Sequence, residues 1–321
     1  MQAAIVTRFG SRWSIEVGET PKPVPAPGEL LVRVRAATVN RSDCGELLHP
    51  LMQRLITRGQ PRRTILGMDF AGAVEAVGEG VSRYGPGDRV FGMTPWGSNG
   101  GQAEYVCLPE TAPIGAIPPA VPFDRAPVFE GAYYASGTVA DFGLGPGDRI
   151  LIYGASGAIG TAAVQLARLA GADVTAVVAG RHLDLALSLG ADRAIDYATP
   201  EFSQLERFDF VLDAVGKMRP RQWRRLLKPG GRFAVTDLGP GGRDAPFLLW
   251  SAIARDGRVS VPLPKRGSGQ AFADFLGERM AAGEFRAVVD RTYPLSEIAE
   301  AYRYVLTGQK AGMVVIEVAG D

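Results

Sequence analysis

The chain has 321 residues, of which 46% are apolar and 21% charged, with a formal net charge of +1. That length allows two domains and a large core, and nothing in the near-neutral balance suggests a nucleic-acid or membrane surface. No apolar run nears the ~20 residues of a membrane span, and two cysteines exclude a four-cysteine zinc site.

The N-terminal Met1–Val6 reads as a strand and lacks a signal peptide's basic, apolar and cleavage regions, so a cytoplasmic protein is expected. Leu30–Ala36 alternates as a half-buried strand does, and Phe70–Gly78 reads as another between glycines. Turn signals are dense at Pro21–Gly28 and Gly85-Pro86-Gly87-Asp88. Only Cys44 to Arg58 suggests a helix in this β-rich part. Cys44, Cys107, His49 and His182 are not at metal-ligand spacing, so no metal is expected and they read as ordinary thiols and surface polar groups.

After Pro122 the pattern changes. Val128–Phe142 reads as a helix, followed by the turn Gly145-Pro146-Gly147-Asp148. Strands are then predicted at 149–153, 173–178, 193–196, 209–212, 232–236 and 258–262. Helices at 158–170, 181–189, 219–227, 245–255 and 270–282 alternate with them. This alternation is that of an α/β fold with a doubly wound parallel sheet. Phe285–Tyr293 is extended, Ser296–Thr307 helical with Ser296 as N-cap and Gly308 as the stop, and Met313–Val318 a final strand. The expected organisation is a discontinuous β-rich domain, 1–120 plus 284–321, interrupted by a dinucleotide-binding domain at 121–283.

The most informative stretch is Gly154-Ala155-Ser156-Gly157-Ala158-Ile159-Gly160, directly after Ile150-Leu151-Ile152. A buried strand enters a glycine turn that opens a helix, presenting backbone N–H groups and the positive helix end to an anion. Gly154 suits the tight turn, Gly157 a close approach of backbone to phosphate, and Gly160 close packing of helix on sheet. Ser156 adds a hydroxyl to the cradle. The expected ligand is the pyrophosphate of a nicotinamide dinucleotide.

At the end of the second strand an NAD site usually has a carboxylate for the ribose hydroxyls. None occurs in Ala179-Gly180-Arg181-His182, while Arg181 suits a 2′-phosphate, which favours NADPH. Ala214 and Val215, after the strand ending at Asp213, and Leu238, in the Thr236–Gly239 exit of the next strand, are further cofactor candidates.

These residues resemble the medium-chain dehydrogenase/reductase superfamily, in its zinc-free, quinone oxidoreductase-like branch. The resemblance rests on Val39-Asn40-Arg41-Ser42-Asp43, Ile65–Gly72, Gly85–Val90, Gly101–Tyr105, Gly154–Gly160, Leu189–Asp192 and Ile195-Asp196-Tyr197. It implies a GroES-like catalytic domain beside a Rossmann domain, with the cofactor in the cleft between them. Zinc-dependent relatives use a cysteine where this chain has Asn40 and a His-Glu pair where it has Met68-Asp69. The resemblance also implies hydride transfer from NADPH to a quinone or enone, Asn40 and Asp43 near the nicotinamide, Tyr197 on the adenosine side, and a homodimer through the Rossmann sheet edge. A cofactor-contacting lysine common near the C-terminus is replaced by Met313 and is missing from this chain unless Lys310 substitutes.

Asn40 reads either as a donor to the oxygen on which charge develops or as a turn-stabilising residue. Asp43 reads either as a catalytic-site group or as an acceptor fixing a loop. Tyr133 or Tyr134 would supply a proton, or pack as aromatics on a helix. Two other functions fit the same residues: a dedicated biosynthetic enoyl or ketone reductase of one natural-product intermediate, and a non-catalytic NADPH-binding sensor.

Overall fold

The structure, a computed structural model, describes residues 1–49, 64–95, 98–236, 258–261, 263–264 and 267–318. The chain divides into two compact units, Met1–Glu130 with Gly267–Asp321 and Gly131–Arg266. The divisions therefore fall after Glu130 and after Arg266, rather than at the expected 120 and 283.

In the first unit, β1 (Gln2–Arg8) and β2 (Ser14–Glu19) form an antiparallel hairpin. Then come β3 (Glu29–Val39), α1 (Arg41–Leu48), β4 (Asp69–Val77), β5 (Arg89–Met93), β6 (Tyr105–Pro109) and β7 (Ile114–Ala116). The helix α2 (Phe129–Phe142) begins here and carries the chain across the division.

The second unit holds β8 (Arg149–Tyr153), α3 (Ala158–Leu169), β9 (Asp173–Val178), α4 (Leu183–Ser188) and β10 (Arg193–Asp196). It continues through α5 (Pro200–Gln204), β11 (Phe208–Asp213), α6 (Pro220–Leu226), β12 (Leu227–Val235) and β13 (Val259–Ser260). The chain returns to the first unit with α7 (Gly269–Ala281), β14 (Val289–Pro294), α8 (Ile298–Leu306) and β15 (Met313–Glu317).

The sheet of the second unit is parallel, in the order β10-β9-β8-β11-β12-β13 among the described residues. Strand order reverses between β8 and β11, where doubly wound sheets take their ligands, at the carboxyl ends of the strands. Burial of Val174–Val178 along β9 fits a strand covered on both faces. Leu151, Val177, Phe208, Val211 and Trp223 share a core, with the Trp223 ring stacked on Phe233 at 4.6 Å. Pro229-Gly230-Gly231 lies inside β12, where the register with β11 shifts and Gly230 takes φ +81°.

In the first unit the sheet order is β14-β15-β3-β4-β5-β7, with β6 also pairing β3. β3 was expected to be half-buried but is covered almost throughout, because register shifts bend it and packing reaches both faces. Its core joins Val34, Val39, Leu47, Phe70, Val314 and Ile316 to α8. Ile298, Ala301, Tyr302 and Val305 form the buried stripe of that helix, at the three-four spacing of an amphipathic helix. The 3₁₀ turn Leu295–Glu297 precedes it, so Ser296 is not the N-cap; Glu297 is, without a side-chain cap bond. Gly308 stops it in the left-handed region, φ +69°.

The helix expected at 270–282 exists but belongs to the first unit. α7 lies against β7: a methyl on Gly115 would stand 2.7 Å from Ala273 O, and Gln270 Nε2 donates to Ile114 O at 2.7 Å. The helix expected within 44–58 is seen as Arg41–Leu48, and its remainder from residue 50 lies outside the described residues, as does the helix expected at 245–255. Among the described residues the last strand of the parallel sheet is Val259–Ser260, paired to β12, and the expected end at 262 lies outside them. Among the described residues, no helix is long and apolar enough to cross a membrane.

Candidate functional site

The glycine turn closes β8 into α3 at the reversal of strand order. Gly154 takes φ +79°, and a methyl there would meet the Val215 side chain at 2.7 Å, so Val215 lies against the turn. Gly160 allows the closest approach: its methyl would stand 2.2 Å from Gly154 O and 2.7 Å from Ala155 Cα. A methyl on Gly157 would touch only Gly154 O, at 3.6 Å, so its absent side chain leaves the backbone open rather than relieving a clash.

Gly157 is the N-cap, with Thr161 N–H donating to its carbonyl at 2.8 Å. The N–H groups of Ala158, Ile159 and Gly160 therefore open the helix with no carbonyl of their own helix to accept them. Ser156 is half-buried in the turn between them and Gly154. Gly154 N–H donates to Val177 O at 3.0 Å, and Ala214 N–H to Tyr153 O at 2.9 Å, so three neighbouring strand ends are tied together here. The residues fit a dinucleotide pyrophosphate: a cradle that side chains would fill, facing the positive end of a helix.

At the end of β9, Gly180, Arg181 and His182 form a 3₁₀ turn. Arg181 is exposed, and its Nε donates to His182 Nε2 at 3.1 Å. Tyr197, after β10, is 50% exposed, and its ring lies 6.4 Å from that of Tyr153, leaving an aromatic face open beside the strand ends. Leu238 lies outside the described residues.

The first unit holds a second polar centre, entirely buried. Asn40 Nδ2 donates to Glu130 Oε2 at 2.6 Å, Thr38 Oγ1 at 2.9 Å and Asp69 Oδ2 at 3.3 Å. Asn40 N–H donates to Asp43 Oδ2 at 2.7 Å, and Glu130 N–H to Asp69 Oδ1 at 2.8 Å. Thr38 O accepts from Gln102 Nε2 at 2.9 Å, and Gln102 Oε1 accepts from Tyr302 at 3.0 Å, which ties the centre to α8.

Burial, and then the Glu130 carboxylate nearby, pushes Asp43 and Asp69 well above the usual carboxylate range. Burial likewise raises Glu130. Lys310 follows the opposite course: burial lowers it to about 8, although Glu130 and Asp290 favour its charge. The carboxyl groups thus hold protons into a range where exposed ones have lost them.

This geometry corrects the oxyanion role expected for Asn40. Its amide hydrogens are already committed to Thr38, Asp69 and Glu130, and the residue is 7% exposed. Asp43 acts as an acceptor at the start of α1 and holds the Asn40 backbone. Tyr133 and Tyr134 belong to the other unit, half-buried on α2.

Glu130 was not singled out from the sequence. Its signal was faint: one carboxylate within the apolar Val128-Phe129-Glu130-Gly131-Ala132 at a helix start.

The alcohol dehydrogenase GroES-like domain family matches residues 26–119, and the zinc-binding dehydrogenase family matches residues 189–316. A chloroplastic quinone-oxidoreductase homolog of Spinacia oleracea is 30% identical over 313 residues, covering 93% of this chain and 92% of the relative. The trans-enoyl reductase pgmF of Aspergillus terreus is 32% identical over 321 residues, covering 91% of this chain and 87% of the relative. The solved quinone oxidoreductase of Coxiella burnetii superposes with a TM-score of 0.82 at 24% identity, covering 99% of each chain.

The two larger sheets give the chain a GroES-like unit and a Rossmann-type unit, the fold of its oxidoreductase relatives. The chain belongs to the medium-chain dehydrogenase/reductase superfamily, among the NAD(P)H oxidoreductases related to quinone oxidoreductase.

Zinc takes thiolate, imidazole or carboxylate ligands. Asn40 presents bonded N–H groups instead, Met68 is buried as a core residue, and Asp69 is spent on Glu130, Asn40 and Thr38. Among the described residues, no group of three or more His, Cys, Asp or Glu side chains is placed to hold a metal ion. Asn40, Met68 and Asp69, as bonded and buried here, do not fit a catalytic zinc.

Proposed function

We propose that this chain is a zinc-independent, NADPH-dependent oxidoreductase that reduces a quinone or an α,β-unsaturated carbonyl. The observation that carries the reading is the Asn40–Asp69–Glu130 network: where a zinc enzyme needs open ligands, these groups are bonded to one another. Without a Lewis acid, an isolated alkoxide loses its usual stabilisation. A conjugated acceptor spreads the developing charge itself, and the names of the spinach and fungal relatives belong to that class.

Bound NADPH would supply the hydride. The Ala158–Gly160 N–H groups and Ser156 would hold its pyrophosphate, and Arg181 would attract the 2′-phosphate. Reduction of an enone puts hydride on the β-carbon, negative charge on the oxygen, and requires a proton at the α-carbon. Tyr133 or Tyr134 supplies that proton from α2. The reading includes a homodimer: β13 pairs with β12 alone among the described residues, and Val261 and Leu263 beyond it are 41% and 67% exposed.

The test is NADPH and NADH oxidation against quinones, enones and aldehydes, with metal analysis on the same sample. Turnover of conjugated acceptors without bound metal is expected. Stoichiometric zinc required for turnover would overturn the reading, as would no affinity for either nucleotide. Tyr134→Phe with wild-type turnover removes Tyr134 as the donor, and sedimentation showing only monomer at micromolar concentration removes the dimer.

The likeness to a trans-enoyl reductase also supports a narrower reading, a dedicated biosynthetic reductase. Rapid turnover across simple quinones and enones would count against it.

A further inference from the structure

The sequence offers no carboxylate at the end of β9, the position that usually recognises the ribose hydroxyls. The fold brings one from the neighbouring strand. β10 runs parallel to β9 with Asp196 opposite Val178, and Tyr197 N–H donates to Val178 O at 3.1 Å. The two strands therefore end at the same level of the sheet.

A methyl added to Gly180 would stand 2.6 Å from Asp196 Oδ2, and that atom is its nearest neighbour. Glycine at 180 is what lets the carboxylate lie against the turn. Asp196 Oδ1 accepts from Ala198 N–H at 2.9 Å, while Oδ2 has no hydrogen-bond partner among the described residues. Arg181 follows Gly180 and donates through Nε to His182.

Resting on the NAD(P)H-binding reading above, and deepening it, we propose that Asp196 sets the cofactor preference of this chain. Its carboxylate accepts from the adenosine ribose hydroxyls and opposes the attraction of Arg181 for a 2′-phosphate. Opposite charges thus flank one position. A carboxylate gains hydrogen bonds from a diol and repels a phosphate dianion, whereas a guanidinium binds the phosphate. Discrimination is then the difference of two opposed effects, and the chain accepts NADH alongside NADPH.

The experiment titrates the full chain with ADP and 2′,5′-ADP by calorimetry, and with NADH and NADPH by fluorescence. Wild type is expected to bind 2′,5′-ADP within about tenfold of ADP, a margin of ~1.4 kcal/mol. Asp196→Asn raises the 2′,5′-ADP preference by about tenfold, and the gain shrinks as salt screens it. Arg181→Ala lowers the preference.

Asp196→Asn retains a side-chain oxygen for Ala198 N–H, and Asp196→Ser offers a hydroxyl oxygen there. Thermal unfolding shows which of them remain folded. A ratio that stays within twofold of wild type in the folded variants, with both ligands still binding, overturns the inference. Failure of wild type to bind ADP or either dinucleotide overturns the reading beneath it, and the inference with it.

Discussion

The two polar centres of this chain are built by opposite means. The glycine turn is mostly local: its closest contacts join Gly154, Ala155 and Gly160, with Val177 of β9 and Val215 after β11 arriving from the neighbouring strand ends. The buried carboxylate centre is assembled from afar, and the bond between Asn40 and Glu130 spans 90 residues. The first centre leaves N–H groups at a helix start for a partner to occupy, whereas the second turns its amide donors inward. A binding site can be written in a few adjacent residues, but a buried polar network depends on the whole sheet that carries it.

The sharpest way to break this comparison is to fill the turn. Gly160→Val places atoms where Gly154 O already stands 2.2 Å from the first added carbon. Overpacking costs roughly 1–3 kcal/mol and occasionally more; because the atoms met are backbone of Gly154 and Ala155 rather than a flexible side chain, this variant falls at the upper end, about 3 kcal/mol. Denaturant unfolding should show a lower midpoint, and calorimetry should show ADP binding lost. An unchanged midpoint with intact binding would mean that the turn is looser than its contacts imply.

Next in size is a cut in the distant centre. Asp69→Ala removes the acceptor for Glu130 N–H, Asn40 Nδ2 and Thr38 Oγ1. Each buried donor left unsatisfied costs ~1–3 kcal/mol, offset by removing a carboxyl group that burial disfavours. A net loss of about 2 kcal/mol is expected in the denaturant midpoint, with ADP affinity unchanged because the glycine turn has its own supports. Loss of ADP binding in a folded Asp69→Ala protein would show that the two centres are coupled.

The contrast explains what could be read in advance. The strands Arg149–Tyr153, Asp173–Val178 and Arg193–Asp196 were legible because apolar runs alternate with helices at short range. Gly154 and Gly160 were legible because their roles depend on neighbours a few residues away. Glu130 was not, because nothing near it in sequence says that Asn40 and Asp69 await it. Asp196 escaped for a related reason: it was sought on β9, and strand pairing supplies it from β10. The helix Gly269–Ala281 has the right periodicity in either unit, and only its contacts with Gly115 and Ile114 decide where it packs.

The smallest effect separates the buried centre into its parts by pH. Asp43, Asp69 and Glu130 have native pKa values raised above their unfolded ones. The native state then holds more protons, so their contribution is present at low pH and declines as pH rises through the raised values. Lys310 acts with the opposite sign. Its native pKa of about 8 lies below the ordinary 10.5, so between these the unfolded chain binds more protons and stability rises with pH. Cys44, pushed up to about 12 from 9.0, opposes that rise above pH 9, because its native thiol keeps a proton the unfolded chain has lost. The difference between wild type and Lys310→Met isolates the lysine. It should be flat below pH ~8 and should grow in favour of wild type by about 1–2 kcal/mol towards pH 10.5, allowing for solvent screening at a partly buried ammonium. A difference that stays flat throughout would place the Lys310 ammonium in water and remove it from the centre altogether.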